Sequence, residues 1–160
     1  MKKTKNHKKG FTLIELLVVV AIMGMLAALA VVALNNARQR ARDARRVSDI
    51  KQIQTALELY FLDNDTYPPA TSDTHISGNC LSSGGGIVAA CTDTDTIYMV
   101  TIPFNPDPYQ DHTECTINYT DYYYKTDSTQ SYSLHYCVGG DIGDLGAGAH
   151  TATPAGIVND

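Results

Sequence analysis

Lys9-Gly10-Phe11-Thr12-Leu13-Ile14-Glu15-Leu16 joins a basic start to a long apolar run and sets one acid five residues past the glycine. Ahead of it, residues 1–10 carry five lysines and no acid. Behind it, Phe11 to Leu34 is a run of 24 residues in which Glu15 is the only charged side chain. As a helix that run covers roughly 36 Å, against a hydrocarbon core of about 30 Å, so it is long enough to span a bilayer. The lysines hold the amino terminus on the cytoplasmic side, which places the carboxyl terminus across the membrane.

Three readings of this start compete. A secretory signal peptide has a short apolar stretch before an A-x-A cleavage site, for which Ala28-Leu29-Ala30 qualifies. Its apolar stretch is shorter than this one, and an acid inside it is costly. A plain membrane anchor tolerates Glu15 near the cytoplasmic end, where the side chain reaches the headgroups. The third reading is a processing signal cut just ahead of the acid.

That third reading rests on a resemblance. Gly10-Phe11-Thr12-Leu13-Ile14-Glu15-Leu16-Leu17-Val18-Val19-Val20-Ala21-Ile22 resembles the amino-terminal signal of type IV prepilins and of the pseudopilins of type II secretion. The resemblance implies that a prepilin peptidase removes residues 1–10 by cutting between Gly10 and Phe11, and that Phe11 is then N-methylated. It also implies a task for Glu15. Its carboxylate would pair with the amino-terminal ammonium of Phe11 from a neighbouring subunit, because an unpaired charge among packed apolar helices is strongly penalised.

Past the membrane run, Ala37, Ala41, Ala44, Val47, Ile50, Ile53, Leu57 and Tyr60 recur at steps of three or four, which predicts one buried face of a helix. Arg38, Arg40, Arg42, Arg45, Arg46, Lys51 and Gln54 fall on the opposite side, facing water or headgroups. No Pro or Gly interrupts Asn35 to Asp65. The prediction is one helix from about Phe11 to Leu62, roughly 77 Å long by rise per residue. It divides into a membrane and filament-core half, 11–34, and an amphipathic half, 35–65, closed by Tyr67-Pro68-Pro69. Such a spine is similar to that of the pilin fold, and Asp43 to Leu57 extends the resemblance to about residue 69. Many members carry a proline soon after the equivalent of Gly24, where this chain has only Leu26 to Leu34. The arginines invite a nucleic-acid reading, but they directly follow a membrane segment, where lipid headgroups or a subunit interface explain them.

From Gln52 onward the chain holds fourteen acids and one cation, Lys125, so residues 66–160 are read as an acidic, extracytoplasmic head. Direct nucleic-acid binding is not expected of it. The fold class is α+β, a long helix laid on a small antiparallel sheet. Strands are expected at Ile97–Ile102, at Thr116–Thr120 with Tyr122–Tyr124, and at Ser131–Val138, with a hairpin turn over Lys125–Thr129. Residues 66–96 form a Gly- and Ser-rich connector that is loosest at Gly84-Gly85-Gly86.

Cys80, Cys91, Cys115 and Cys137 all lie in the head, and an even number outside the cytoplasm favours two disulfides. Of three connectivities, Cys80–Cys91 with Cys115–Cys137 closes local loops, the second tying the two strands of the hairpin. Zinc is the alternative, with His112 three residues before Cys115, but the C-x-x-C pair is missing. Acid pairs at Asp63/Asp65, Asp93/Asp95, Asp107/Asp111 and Asp141/Asp144 are calcium candidates or simply solvated loop acids. Major pseudopilins carry a calcium site in their carboxyl-terminal loops, and the resemblance implies that Asp141-Ile142-Gly143-Asp144 lies in a comparable region, with no residue-by-residue match of ligands. The ten tyrosines suit either an adhesive surface or, by strand alternation, a core. Asn64 and Asn118 match the N-glycosylation pattern.

No H-E-x-x-H, G-x-S-x-G or P-loop pattern occurs, and the histidines are scattered, so an enzyme is not expected. The leading expectation is a structural subunit of a type IV pilus. The alternative is a pseudopilin of type II secretion, and a third reading is a membrane-anchored binding or adhesion domain that never polymerises. The expected partners are other subunits, the prepilin peptidase and methyltransferase, an assembly platform and the membrane. The expected location is a single pass in the cytoplasmic membrane, then a surface pilus or envelope pseudopilus.

Overall fold

The computed structural model describes residues 10–92, 94–108, 112, 113, 115 and 121–159. The chain divides into two compact units, one ending at Ala37 and one running from Arg38. Helix α1, Leu13–Asn64, passes from the first to the second without interruption over 52 residues. In the first unit every side chain from Phe11 to Ala37 is exposed.

From Arg38 the same helix acquires a buried face, made by Asp43, Arg46, Asp49, Ile50, Ile53, Ala56, Leu57 and Tyr60 at steps of one or three. This corrects the expected periodicity at its start. Ala41 and Ala44 are exposed and Val47 is half-buried, while Arg46, assigned to the solvent side, is fully buried. A pattern built on apolar residues alone misses a face that begins with a salt bridge. The helix ends where Asp65 adopts the left-handed region, φ 55°, and its N–H donates to the Phe61 carbonyl at 2.8 Å. Asn64 adds a side-chain donor to the Tyr60 carbonyl at 2.8 Å. Pro68 and Pro69 then prevent resumption.

Two antiparallel sheets complete the second unit. The larger contains β1 (Thr74–His75), β5 (Tyr123–Ser128), β6 (Ser131–Val138), β7 (Gly148–Thr153) and β8 (Gly156–Asn159), in the order β1-β5-β6-β7-β8. The smaller contains β2 (Cys80–Ser82), β3 (Gly86–Val88) and β4 (Ile97–Met99), in the order β3-β2-β4. Strand β6 alternates, burying Tyr132, Leu134, Tyr136 and Val138 on one face. Together with Ile50, Ile53, Leu57 and Tyr60 of α1 these residues form one core, which also takes in Tyr122, Tyr124, Ile76, Leu81 and Ile102.

Several expectations shift. Strand β4 stops at Met99, short of Ile102. The β5–β6 turn is only Thr129-Gln130, because Lys125 to Ser128 remain in the ladder through a register shift between Thr126 and Ser128. The connector 66–96 contains β1, β2 and β3; Ser83-Gly84-Gly85 make the β2–β3 turn and Gly86, at φ 67°, opens β3. The strand expected at Thr116–Thr120 lies outside the described residues, as do Asn118, Asp93 and Asp111.

Candidate functional site

At the amino-terminal junction Gly10, Phe11 and Thr12 precede the helix, and Phe11 is 86% exposed. Thr12 is the N-cap. Its hydroxyl accepts the Glu15 N–H at 3.3 Å, while Glu15 Oε2 accepts the Thr12 N–H at 2.9 Å and the Thr12 hydroxyl at 2.7 Å. This is a reciprocal capping box, which satisfies amide donors that a helix start leaves unpaired. Thr-x-x-Glu is the sequence signature of such a box, whereas the expectation for Glu15 named only a partner on another subunit. Within one chain, Glu15 closes its own first turn. Residues 1–9 of the leader lie outside the described residues.

A second polar centre sits inside the second unit. Arg46 is wholly buried, and each of its nitrogens finds an oxygen. Nε donates to Asn105 Oδ1 at 2.7 Å, Nη1 to Asp43 Oδ1 at 2.6 Å, and Nη2 to the carbonyls of Pro106 at 3.1 Å and Pro108 at 2.8 Å. Asp43 in turn accepts the Gly139 N–H at 2.9 Å and the Gly140 N–H at 3.1 Å. One ion pair on one turn of α1 therefore pins two separate loops, 105–108 and 139–140. Buried ion pairs repay their desolvation only when the remaining donors and acceptors are satisfied in this way. The planar guanidinium suits this fan of acceptors; a lysine does not.

One turn further, Asp49 is buried and accepts the Tyr122 hydroxyl at 3.0 Å. Burial raises its carboxyl above the ordinary range, opposed by the Tyr122 hydrogen bond and by Arg45. Tyr124 donates to the Pro68 carbonyl at 2.9 Å. Burial pushes the Tyr132 hydroxyl up to about 12. These buried rings belong to the core.

The cysteines are joined as Cys80–Cys91 and Cys115–Cys137, each with Cα atoms 5.7 Å apart. The second bridge does not join the two hairpin strands. It ties β6 to residue 115, which is in no strand and precedes β5. With all four thiols paired, none remains for zinc. Asp144 lies within a small turn closed by Ile142 and Leu145, Asp141 precedes it, and Asp141 Oδ1 accepts the Ala147 N–H at 3.0 Å. Among the described residues no group of three acids, histidines or cysteines is gathered for a metal. Asp63 accepts the Tyr98 hydroxyl at 2.8 Å, and Asp107 is exposed.

Residues 5–31 match the family described as the prokaryotic N-terminal methylation motif. The amino-terminal segment is that of the pilin and pseudopilin family. The relatives of this pilin-like chain include three proteins named type II secretion system core protein G. That of Aeromonas hydrophila is 44% identical over 64 residues, 40% of this chain and 45% of the relative. That of Pseudomonas aeruginosa is 45% identical over 64 residues, again 40% and 45%. That of Vibrio cholerae is 34% identical over 108 residues, 68% of this chain and 58% of the relative. The matched region thus spans about half the length of these relatives. No solved structure matches the chain. The helix Leu13–Asn64 is long and apolar enough to cross a membrane, judged by length and composition.

Proposed function

We propose that this pilin-like chain is a pseudopilin, a structural subunit of the filament of a type II secretion system. The observation that carries the proposal is the likeness to core protein G of Vibrio cholerae, which runs over 108 residues and so extends well past the shared processing signal. The names of the relatives favour secretion over the surface pilus expected first. In this reading the peptidase cuts after Gly10, Phe11 is N-methylated, and residues 11–34 hold the subunit in the cytoplasmic membrane with the head outside. The Thr12–Glu15 cap keeps the carboxylate hydrogen-bonded until a neighbour's Phe11 ammonium arrives as a stronger, charged partner.

Deletion of the gene tests the reading. Retention of normally exported proteins, with surface pili intact, is the expected result; loss of pili with export unchanged would return the chain to the pilus reading. Glu15→Ala is expected to leave leader cleavage intact and abolish filaments. Normal filaments from that variant would remove the role of Glu15.

A further inference from the structure

From Arg38 onward the exposed charge is sorted along α1. At one end Arg38, Arg40 and Arg45 are exposed. Arg46, by contrast, is consumed inside. At the other end Glu58, Asp63 and Asp65 are exposed, and the Tyr98 hydroxyl holds Asp63 in place at 2.8 Å. The one cation after Gln52, Lys125, stands 3.7 Å from Asp127 and so does little to offset the acidic end. By rise per residue, Arg40 and Asp63 are roughly 35 Å apart along the helix. Along α1 this unit therefore runs from a basic end, the base, to an acidic end, the tip, while Asp107 and Asp141, also exposed, lie on the loops that Arg46 and Asp43 hold near the base.

We infer that the arginine base of one subunit docks on the Asp63–Asp65 tip of a second copy of this chain. The inference rests on the filament reading above. Subunits in a filament point the same way, so a contact between two different surfaces repeats without closing, as an open helical array requires. Neighbours at equal height would set base against base and tip against tip, which like charges oppose. A stagger of about one base-to-tip length, roughly 35 Å, replaces both repulsions with attraction. Each exposed pair is weak, about 0.2–1 kcal/mol, but the contact recurs at every subunit. It governs register and growth more than the stability of a single chain.

The test uses the full chain expressed with its assembly proteins. Reversing the base, Arg38→Glu with Arg40→Glu, is expected to reduce filament number roughly tenfold or more through like-charge repulsion. Altering the tip alone, Asp63→Lys with Asp65→Asn, is expected to reduce it too, asparagine being chosen because residue 65 has φ 55°. Combining the base and tip changes is expected to restore filaments. Membrane fractionation and disulfide formation confirm that each variant is inserted and folded. Wild-type filament number from the reversed base overturns the contact, as does failure of the combined variant to recover, which would assign the arginines to lipid headgroups. A wild-type chain that forms no filaments overturns the filament reading, and this contact with it.

Discussion

Helix α1 is one element by hydrogen bonding but two by chemistry. From Leu13 to Ala37 it is wholly exposed, and up to Leu34 it is apolar but for Glu15; between Arg38 and Asn64 it buries one face, which opens with Asp43, Arg46 and Asp49 before turning apolar. The side chains of the first stretch are exposed, so its surface suits lipid or the helices of other subunits. The second stretch is committed to its own head. Substitutions in the first should therefore change assembly and spare the head, and those in the second should do the reverse.

The sharpest break of that contrast is at Arg46. Arg46→Ala strands Asp43 in the core and releases the 105–108 loop, and should cost about 3–5 kcal/mol in denaturant unfolding of the full chain. Arg45→Ala, one residue away on an exposed side chain, should change stability by less than about 1 kcal/mol. Equal losses at the two positions would show that the buried ion pair does not hold the loops. Next comes Tyr122→Phe, which leaves Asp49 without its hydroxyl donor and should cost about 1–3 kcal/mol by the same measurement. In the other half, Thr12→Val removes the N-cap and should cost about 1 kcal/mol of helix stability, read as faster amide exchange over the first turn. The melting of the head should stay unchanged.

The smallest effect is at Asp49, and its sign is opposite. Because burial raises this carboxyl, its ionised form destabilises the fold at neutral pH. As pH falls through the raised native value the folded state takes up a proton before the unfolded chain does, so this penalty fades, and it is gone below the ordinary value of about 3.9. Asp49→Asn should accordingly melt a little higher than wild type at pH 7, with the gap closing toward pH 4. A gap that widens on acidification would mean that Tyr122 and Arg45 outweigh burial.

Much of this was legible locally. The apolar run, the helix end before Pro68 and the strand Ser131–Val138 all depend on residues within a few positions of one another. Strands β7 and β8 are weakly marked in the sequence: Gly148-Ala149-His150-Thr151-Ala152-Thr153 has two threonines but no Val, Ile, Phe, Tyr or Trp, and in Gly156-Ile157-Val158-Asn159 only two residues are strand formers. Strand β7 is held by pairing with β6, from Leu134↔Ala152 to Val138↔Gly148. The arginines look alike in sequence, and one of them, Arg46, is among the largest fully buried side chains of the described residues.

By itself the sequence determined the signal at Gly10-Phe11, the membrane-length helix and the acidic character of the head, since each is a property of neighbouring residues or of composition. Tertiary structure alone decided which charges are spent inside and which remain outside. The partners of Arg46 and Asp43 lie 59 to 97 residues away in the chain, apart from each other. Only the folded head brings those carbonyls and amides to one turn of α1, and without them a buried arginine could not be stable.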